Sequence, residues 1–473
     1  MTAAARDAAP EPFPKAARAA LGDAQMRANI ALATSTIRRK RGAVVAEVPD
    51  WEELRAAGEA IKDEALSRLD EVLVELEASV RAAGGEVHWA RDAAEAAEIV
   101  IGLVRAEDVR EVVKVKSLAT DEIALNESLL QAGIAPLETD LAELIIQLAG
   151  ERPSHLLVPA IHKNRREIRD LFRERLGLPD LGDDPAELAE AARRHLREAF
   201  LRARVAISGA NFAAADTGTV IVVESEGNGR MCTTLPETLI TVMGIEKAIP
   251  RFRDLEVFLQ LLPRSSTGER MNPYTSLWTG VRDGDGPQRF HLVLLDAGRT
   301  RVLGDPVGRA ALRCIRCSAC INVCPVYRQT GGHAYHTPYA GPIGAILAPQ
   351  LAGERGAAAS LPFASSLCGA CFSACPVRID IPSILIHERA KAVATSRPGL
   401  EGRSLKALGR AFSTRRRYER AQRLARALQR PVARDGWIGR FPPGPLAAWG
   451  RARDLPALPA QTFREWWEAR ERP

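Results

Sequence analysis

Two closely spaced cysteine runs constrain this chain more than any other feature. The first reads Cys314-x2-Cys317-x2-Cys320-x3-Cys324-Pro325 and the second Cys368-x2-Cys371-x3-Cys375-Pro376. Of the 8 cysteines in 473 residues, all but Cys232 lie between positions 314 and 375. Three thiolates spaced in this way let a tight loop fold around three corners of an iron–sulfur cube, and a fourth followed by proline is directed to a different cluster. Structural zinc is the competing reading, and the match of all four cysteines together with Pro325 weighs against it. The N-terminal stretch has no continuous apolar core of a secretory signal. Clustered C-x-x-C pairs in such a chain argue for metal ligation in a reducing compartment rather than disulfides, so a cytoplasmic location is expected.

Aligned on its Cys-Pro end, the second run matches the last three ligands of the first. Crossed ligation then assigns Cys314, Cys317, Cys320 and Cys375 to one cluster, and Cys324, Cys368 and Cys371 to another. The slot equivalent to Cys314 holds Ser365. Four readings of that corner stay open: Ser365 ligates through oxygen, a partner supplies a ligand, Cys232 reaches it, or the cluster is a three-iron form. For Cys232 the competing reading is a small buried hydrophobe. Two cubes held this way lie within electron-hopping reach. The chain has no G-x-G-x-x-G after a strand, no P-loop, no H-E-x-x-H and no G-x-S-x-G. No catalytic residue is assigned, and the expected role is electron transfer, with the substrate held elsewhere.

The rest of the chain divides by texture. Residues 1–60 read as a helical extension. A long helix is expected from Trp51 to Ala83, with apolar residues at helical spacing and Gly84–Gly85 ending it. Over 61–303 short β-rich runs alternate with helices. Strands are expected at Glu86–Trp89, Glu111–Val115, Ile134–Pro136, His155–Pro159, Val205–Ser208, Thr219–Glu224, Leu239–Val242 and Phe290–Leu295. Helices are expected at Ala93–Ala106, Asp121–Gln131 (capped by Asp121), Leu141–Leu148 and Asn164–Leu176. That rhythm predicts an α/β domain with a largely parallel sheet. Residues 304–390 carry the cysteines among short helices. Residues 391–473 are helical over Ser404–Leu428 and then broken by prolines.

Charge is uneven. Residues 391–473 hold 19 Lys+Arg against 7 Asp+Glu, so the remainder of a chain of net charge +6 stands at −6. The basic tail reads as a solvated face, a nucleic-acid site or a docking patch for an acidic partner or membrane surface. No recognisable nucleic-acid module surrounds Arg415-Arg416-Arg417, so docking of a redox partner fits better. The apolar runs are too short to span a bilayer, which leaves peripheral membrane contact as the most that is expected.

Taken with these residues, several motifs carry a family resemblance. They are Lys114-Val-Lys116-Ser117, Glu138-Thr139-Asp140, His155-Leu-Leu-Val-Pro159-Ala-Ile-His162-Lys163, Gly209-Ala-Asn211-Phe212 through Asp216-Thr217-Gly218, and Gly227-Asn228-Gly-Arg230. With Gly331-Gly332-His333, Gly341-Pro342-Ile343-Gly344 and Arg453-Asp454-Leu-Pro456, the chain resembles the lactate-utilisation protein B family over nearly its whole length. The resemblance implies an α/β domain similar to CoA-transferase and sugar-phosphate isomerase domains, an α-helical dicluster ferredoxin-like domain, and two 4Fe-4S clusters. It also implies a role in oxidising L-lactate to pyruvate with two partner proteins and an electron acceptor. Relatives often carry a histidine where this chain has Leu239. Two rival readings are an iron–sulfur subunit of another 2-hydroxy-acid or quinone-linked dehydrogenase, and a cluster-based redox sensor or scaffold. Lys114, Lys116, Glu138, Asp140, His162, Lys163 and Asp216 read either as a pocket for an anionic ligand at the strand ends or as structural ion pairs and turn residues. His333 and His336 read as hydrogen-bonding residues, with ligation at the open corner as the lesser alternative.

Overall fold

The computed structural model describes residues 11–353, 356–395, 399–438, 453 and 455–470. The chain divides into two compact units, one ending at Ala392 and one beginning at Val393.

In the first unit the strands are β1 Glu86–Ala90, β2 Glu111–Lys114, β3 Ala135–Glu138, β4 Val205–Ser208, β5 Phe212–Ala214, β6 Thr219–Glu224, β7 Thr238–Gly244, β8 Ala248–Ile249, β9 Tyr274–Trp278 and β10 Arg289–Leu295. Six form one sheet in the order β1-β10-β7-β4-β2-β3, every neighbouring pair parallel. The expected parallel α/β sheet is present, and its centre is built from the later strands β10, β7 and β4. Thr219–Glu224 is a strand but belongs to a second sheet, β8-β5-β6-β9, where it pairs antiparallel with both neighbours.

Strand side chains alternate between faces, and the central strands are apolar on both. Val112, Val205, Ile207, Ile240, Val242, Val293 and Leu295 pack on one side with Val100, Val104, Leu125 and Leu129. The intervening Val113, Ala206, Leu239, Met243, Leu292 and Leu294 face the other side. That second core also contains Leu312, Ile315, Ile321 and Ile346, so the cysteine-bearing segment shares its interior with the sheet.

Three local expectations are corrected. The helix expected over Trp51–Ala83 is two helices, Trp51–Ser67 and Leu69–Ala82, because Arg68 takes φ −134°. The second buries Leu69, Val72, Leu73, Leu76 and Val80, a helical face turned to the core. Asp121 caps nothing: Ser117 caps a helix over Leu118–Glu122, and Ala124 at φ 49° separates it from Leu125–Gln131. His155–Pro159 is not a strand. The His155 Nδ1 accepts from the backbone N–H of Leu157 (3.0 Å) and of Val158 (3.1 Å), which bends the segment and takes donors a ladder would need.

The second unit contains helices Leu400–Phe412 and Arg415–Gln429, where one helix was expected, with Thr414 capping the second. Short antiparallel pairings join Ala433–Arg434, Trp437–Ile438 and Leu455–Pro456, and a helix covers Phe463–Arg470. Part of its positive charge is met internally, by Arg415–Glu419 at 2.7 Å, Arg415–Glu468 at 2.5 Å and Arg426–Glu465 at 3.1 Å. Among the described residues no helix is long and apolar enough to cross a membrane.

Candidate metal centre

The two cysteine runs share one backbone conformation. Cys317, Cys320 and Cys324 correspond to Cys368, Cys371 and Cys375 at a constant offset of 51 positions. On either side of Cys317, Arg316 and Ser318 both have φ 61°; on either side of Cys368, Leu367 has φ 55° and Gly369 φ 81°. Short helices follow in both, Ala319–Asn322 and Ala370–Ala374, each carrying the next cysteine. Left-handed backbone at non-glycine residues is costly and persists where surrounding structure enforces it, typically at functional sites.

All eight cysteines are free thiols. Cys314, Cys317, Cys320 and Cys375 line one small cavity, closed by Leu156, Ile343, Val377, Ile379 and Ile381. Burial pushes the Cys317 and Cys320 thiols well up and Cys375 to about 11, with the neighbouring Cys314 adding to each shift. Cys324, Cys368 and Cys371 lie outside that cavity. Cys371 is pushed to about 12 by burial, then by Cys324. Cys368 is exposed and shifted down, chiefly by the Ala370 N–H. Four thiols around an apolar-walled cavity are the donor set a cubic iron–sulfur cluster takes, and metal binding displaces the protons that burial retains. Of the remaining three thiols in the two runs, Cys324 and Cys371 are buried and Cys368 is exposed.

Cationic groups surround the first cavity. The backbone N–H of Arg316 donates to Cys314 Sγ at 3.4 Å, and its guanidinium lies over Tyr339 at 4.7 Å. Arg55 Nε donates to the carbonyl of Cys375 at 2.9 Å, and Arg41 donates to that of Ala374 at 3.0 Å. Just past the end of β7, buried Glu246 accepts from Arg299 at 2.5 Å and from Arg316 at 3.0 Å, while its carbonyl takes Lys62 Nζ. Burial alone would raise the Glu246 carboxyl; Arg299 and Arg316 outweigh it and hold the group at about 2. Arg299 is itself clamped by Glu122, at 2.8 and 2.9 Å. The cysteine loop is thereby seated on the carboxyl ends of the parallel strands. Glu246, Arg299 and Arg316 had no signal in the sequence, since isolated charged residues near strand ends are common.

The polar residues of the α/β segment are distributed among several tasks. Lys114 pairs with Glu138 across β2 and β3 at 2.9 Å. Glu151 takes both His162 (2.8 Å) and Lys163 (2.7 Å). Asp140 caps the Leu141–Ala149 helix, and Asp216 accepts from the Phe252 N–H at 2.8 Å. Lys116 Nζ and Glu143 Oε1 are buried with no hydrogen-bond partner. Cys232 is buried on the Asn228–Thr234 helix, its sulfur 3.7 Å from Thr139 Oγ1, and burial pushes its thiol to about 12. His333 bonds to the Arg152 carbonyl at 2.8 Å, and His336 is exposed.

The LUD domain matches residues 73–295 and the 4Fe-4S dicluster domain residues 310–379. Proteins named lactate utilization protein B match almost end to end. That of Bacillus licheniformis is 43% identical over 94% of this chain and 94% of its own length. The chain belongs to the lactate utilization protein B family. The Shouchella clausii relative is 41% identical over 98% of this chain and 97% of its own, and that of Bacillus subtilis 42% identical over 94% of each. This family member therefore combines a LUD domain on a parallel α/β sheet with an iron–sulfur dicluster domain.

Proposed function

We propose that this lactate utilization protein B relays electrons through two 4Fe-4S clusters during oxidation of L-lactate to pyruvate. Cys314, Cys317, Cys320 and Cys375 hold the first cluster; Cys324, Cys368 and Cys371 hold the second. The observation that carries the reading is that Cys375, from the second run, lines the same cavity as Cys314, Cys317 and Cys320 of the first. Bound clusters supply one-electron chemistry. The chain's own residues bind them, exclude water from the first, and surround it with Arg41, Arg55 and Arg316.

In this reading residues 61–303, of CoA-transferase-like type, carry the sheet on which residues 304–390 seat the clusters. From the N-terminal extension Arg41 and Arg55 reach the backbone of the second cysteine run, and basic residues 391–473 dock an acidic redox partner. The protein works in the cytoplasm with two further lactate-utilisation proteins, one of which holds the substrate. The names of its relatives support the lactate assignment. Anaerobically purified protein, quantified for iron and followed by electron paramagnetic resonance, tests the reading. About seven to eight irons are expected, reducible by the reconstituted partners with lactate but not by lactate alone. Zinc in place of iron, about four irons, or lactate turnover by the isolated chain would overturn it.

A further inference from the structure

We propose that Ser365 Oγ is the fourth ligand of the second cluster, an inference that rests on Cys324, Cys368 and Cys371 holding one. The case begins with the shared backbone of the two runs. At the same offset of 51 positions, Ser365 stands where Cys314 stands in the first run. The left-handed residues Arg316 and Ser318 have their counterparts in Leu367 and Gly369, so the two loops turn alike around their second positions.

The hydrogen bonding at the first position is reproduced as well. In the first run the Arg316 N–H donates to Cys314 Sγ at 3.4 Å. In the second the Leu367 N–H donates to Ser365 Oγ at 3.1 Å. The donor lies two residues beyond the acceptor in both, so the serine oxygen occupies the place of the first-run sulfur relative to its loop. An N–H aimed at a ligand atom favours its charged form. Ser365 is half-buried, and its segment is pinned from behind: Arg389 donates to the carbonyls of Pro362 at 2.8 Å and Ser365 at 3.1 Å.

Of the other side chains considered for this corner, His336 is exposed and two are committed elsewhere. Cys232 is buried against Thr139 beyond the ends of β2 and β3. His333 is bonded to the Arg152 carbonyl.

When the Oγ–iron bond forms, the hydroxyl proton leaves to solvent, and Oγ keeps the Leu367 N–H bond. Oxygen is a harder ligand than thiolate and favours the more oxidised metal. The second cluster thus has one iron unlike its other three and a lower reduction potential than an all-thiolate version would have.

The test compares wild type, Ser365→Ala and Ser365→Cys, each the full chain purified anaerobically. Readouts are iron count, potentiometric titration followed by electron paramagnetic resonance, and electron–nuclear double resonance in water enriched in oxygen-17. Wild type should show no oxygen-17 coupling from solvent at the second cluster, and Ser365→Ala should gain it. Conversion of that cluster to a three-iron form on mild oxidation should be at least tenfold faster in Ser365→Ala and slower than wild type in Ser365→Cys. Ser365→Cys should also raise the second potential and leave the first unchanged. Solvent coupling in wild type, or potentials and oxidation rates indistinguishable among the three proteins, would remove Ser365 from the ligand set while leaving the two-cluster reading intact. About four irons in wild type would instead remove the second cluster itself.

Discussion

Arg316, between the first two cysteines of the 314–324 run, reaches 70 positions back to meet Glu246 at 3.0 Å just beyond the end of β7. Both side chains are buried, and this pair fastens the cysteine loop to the sheet. Breaking a buried pair from one side leaves an uncompensated charge and costs about 3–5 kcal/mol. Arg316→Met is therefore expected to lower the unfolding free energy by about that amount. It should also make the first cluster harder to reduce, since a cation beside it is lost. Urea unfolding and a redox titration read the two effects; a variant unchanged in both would show that Arg299 alone satisfies Glu246.

Cys314 and Cys375 line the same cavity although 61 positions separate them. Cys314→Ala and Cys375→Ala should accordingly give the same altered resonance, distinct from that of Cys368→Ala. If Cys375→Ala instead resembles Cys368→Ala, the crossed arrangement is wrong.

Cys232→Ala should leave iron content and both cluster spectra unchanged. The side chain is enclosed and its sulfur contacts Thr139, so only a small packing loss of about 1 kcal/mol is expected. Loss of iron on this substitution would make Cys232 a ligand.

His155 joins the 155–159 turn to the cysteine segment: its Nδ1 accepts two backbone N–H groups and its Nε2–H donates to Asn322 Oδ1 at 3.2 Å. Burial, reinforced by Lys116, depresses its basicity to about 3, so the folded chain keeps the ring neutral. An unfolded histidine titrates near about 6.5, so between those limits the unfolded chain binds the extra proton. This contribution to stability is complete above that range and falls by about 1.4 kcal/mol per unit as pH drops through it. Going from pH 7.5 to 5.5, wild type should lose about 1.4 kcal/mol more than His155→Gln in urea unfolding. Equal losses would mean that the ring is protonated in the folded chain.

Elements governed by their own residues were legible before the fold was known. The Ala93–Ala106 helix follows Asp92, whose side chain accepts from the Glu95 N–H, and Phe290–Leu295 buries Phe290, Leu292 and Leu294 on one face and Val293 and Leu295 on the other, as a central parallel strand does. The misread elements were decided by side chains acting on backbone. At His155–Pro159 an imidazole competes with the ladder for two N–H groups, and at Asp121 the capping oxygen came from Ser117, four residues earlier. The polar family motifs split between an ion pair at the ends of β2 and β3, helix caps and turns, because spacing carries no information about which carboxylate each cation will meet.

What the sequence determined alone is local. The x2 and x3 spacings of the cysteines and the serine at position 365 are properties of short segments read directly from the chain. Tertiary structure decided that Cys375 shares a cavity with Cys314, and that Glu246, Arg299 and Arg316 form one buried network at the strand ends. Those relationships join residues 53 to 70 positions apart and, for the thiols, 61. Over such separations the chain between is free to take many paths, and burial of the shared core, together with the pairing of Glu246 with Arg299 and Arg316 inside it, selects one.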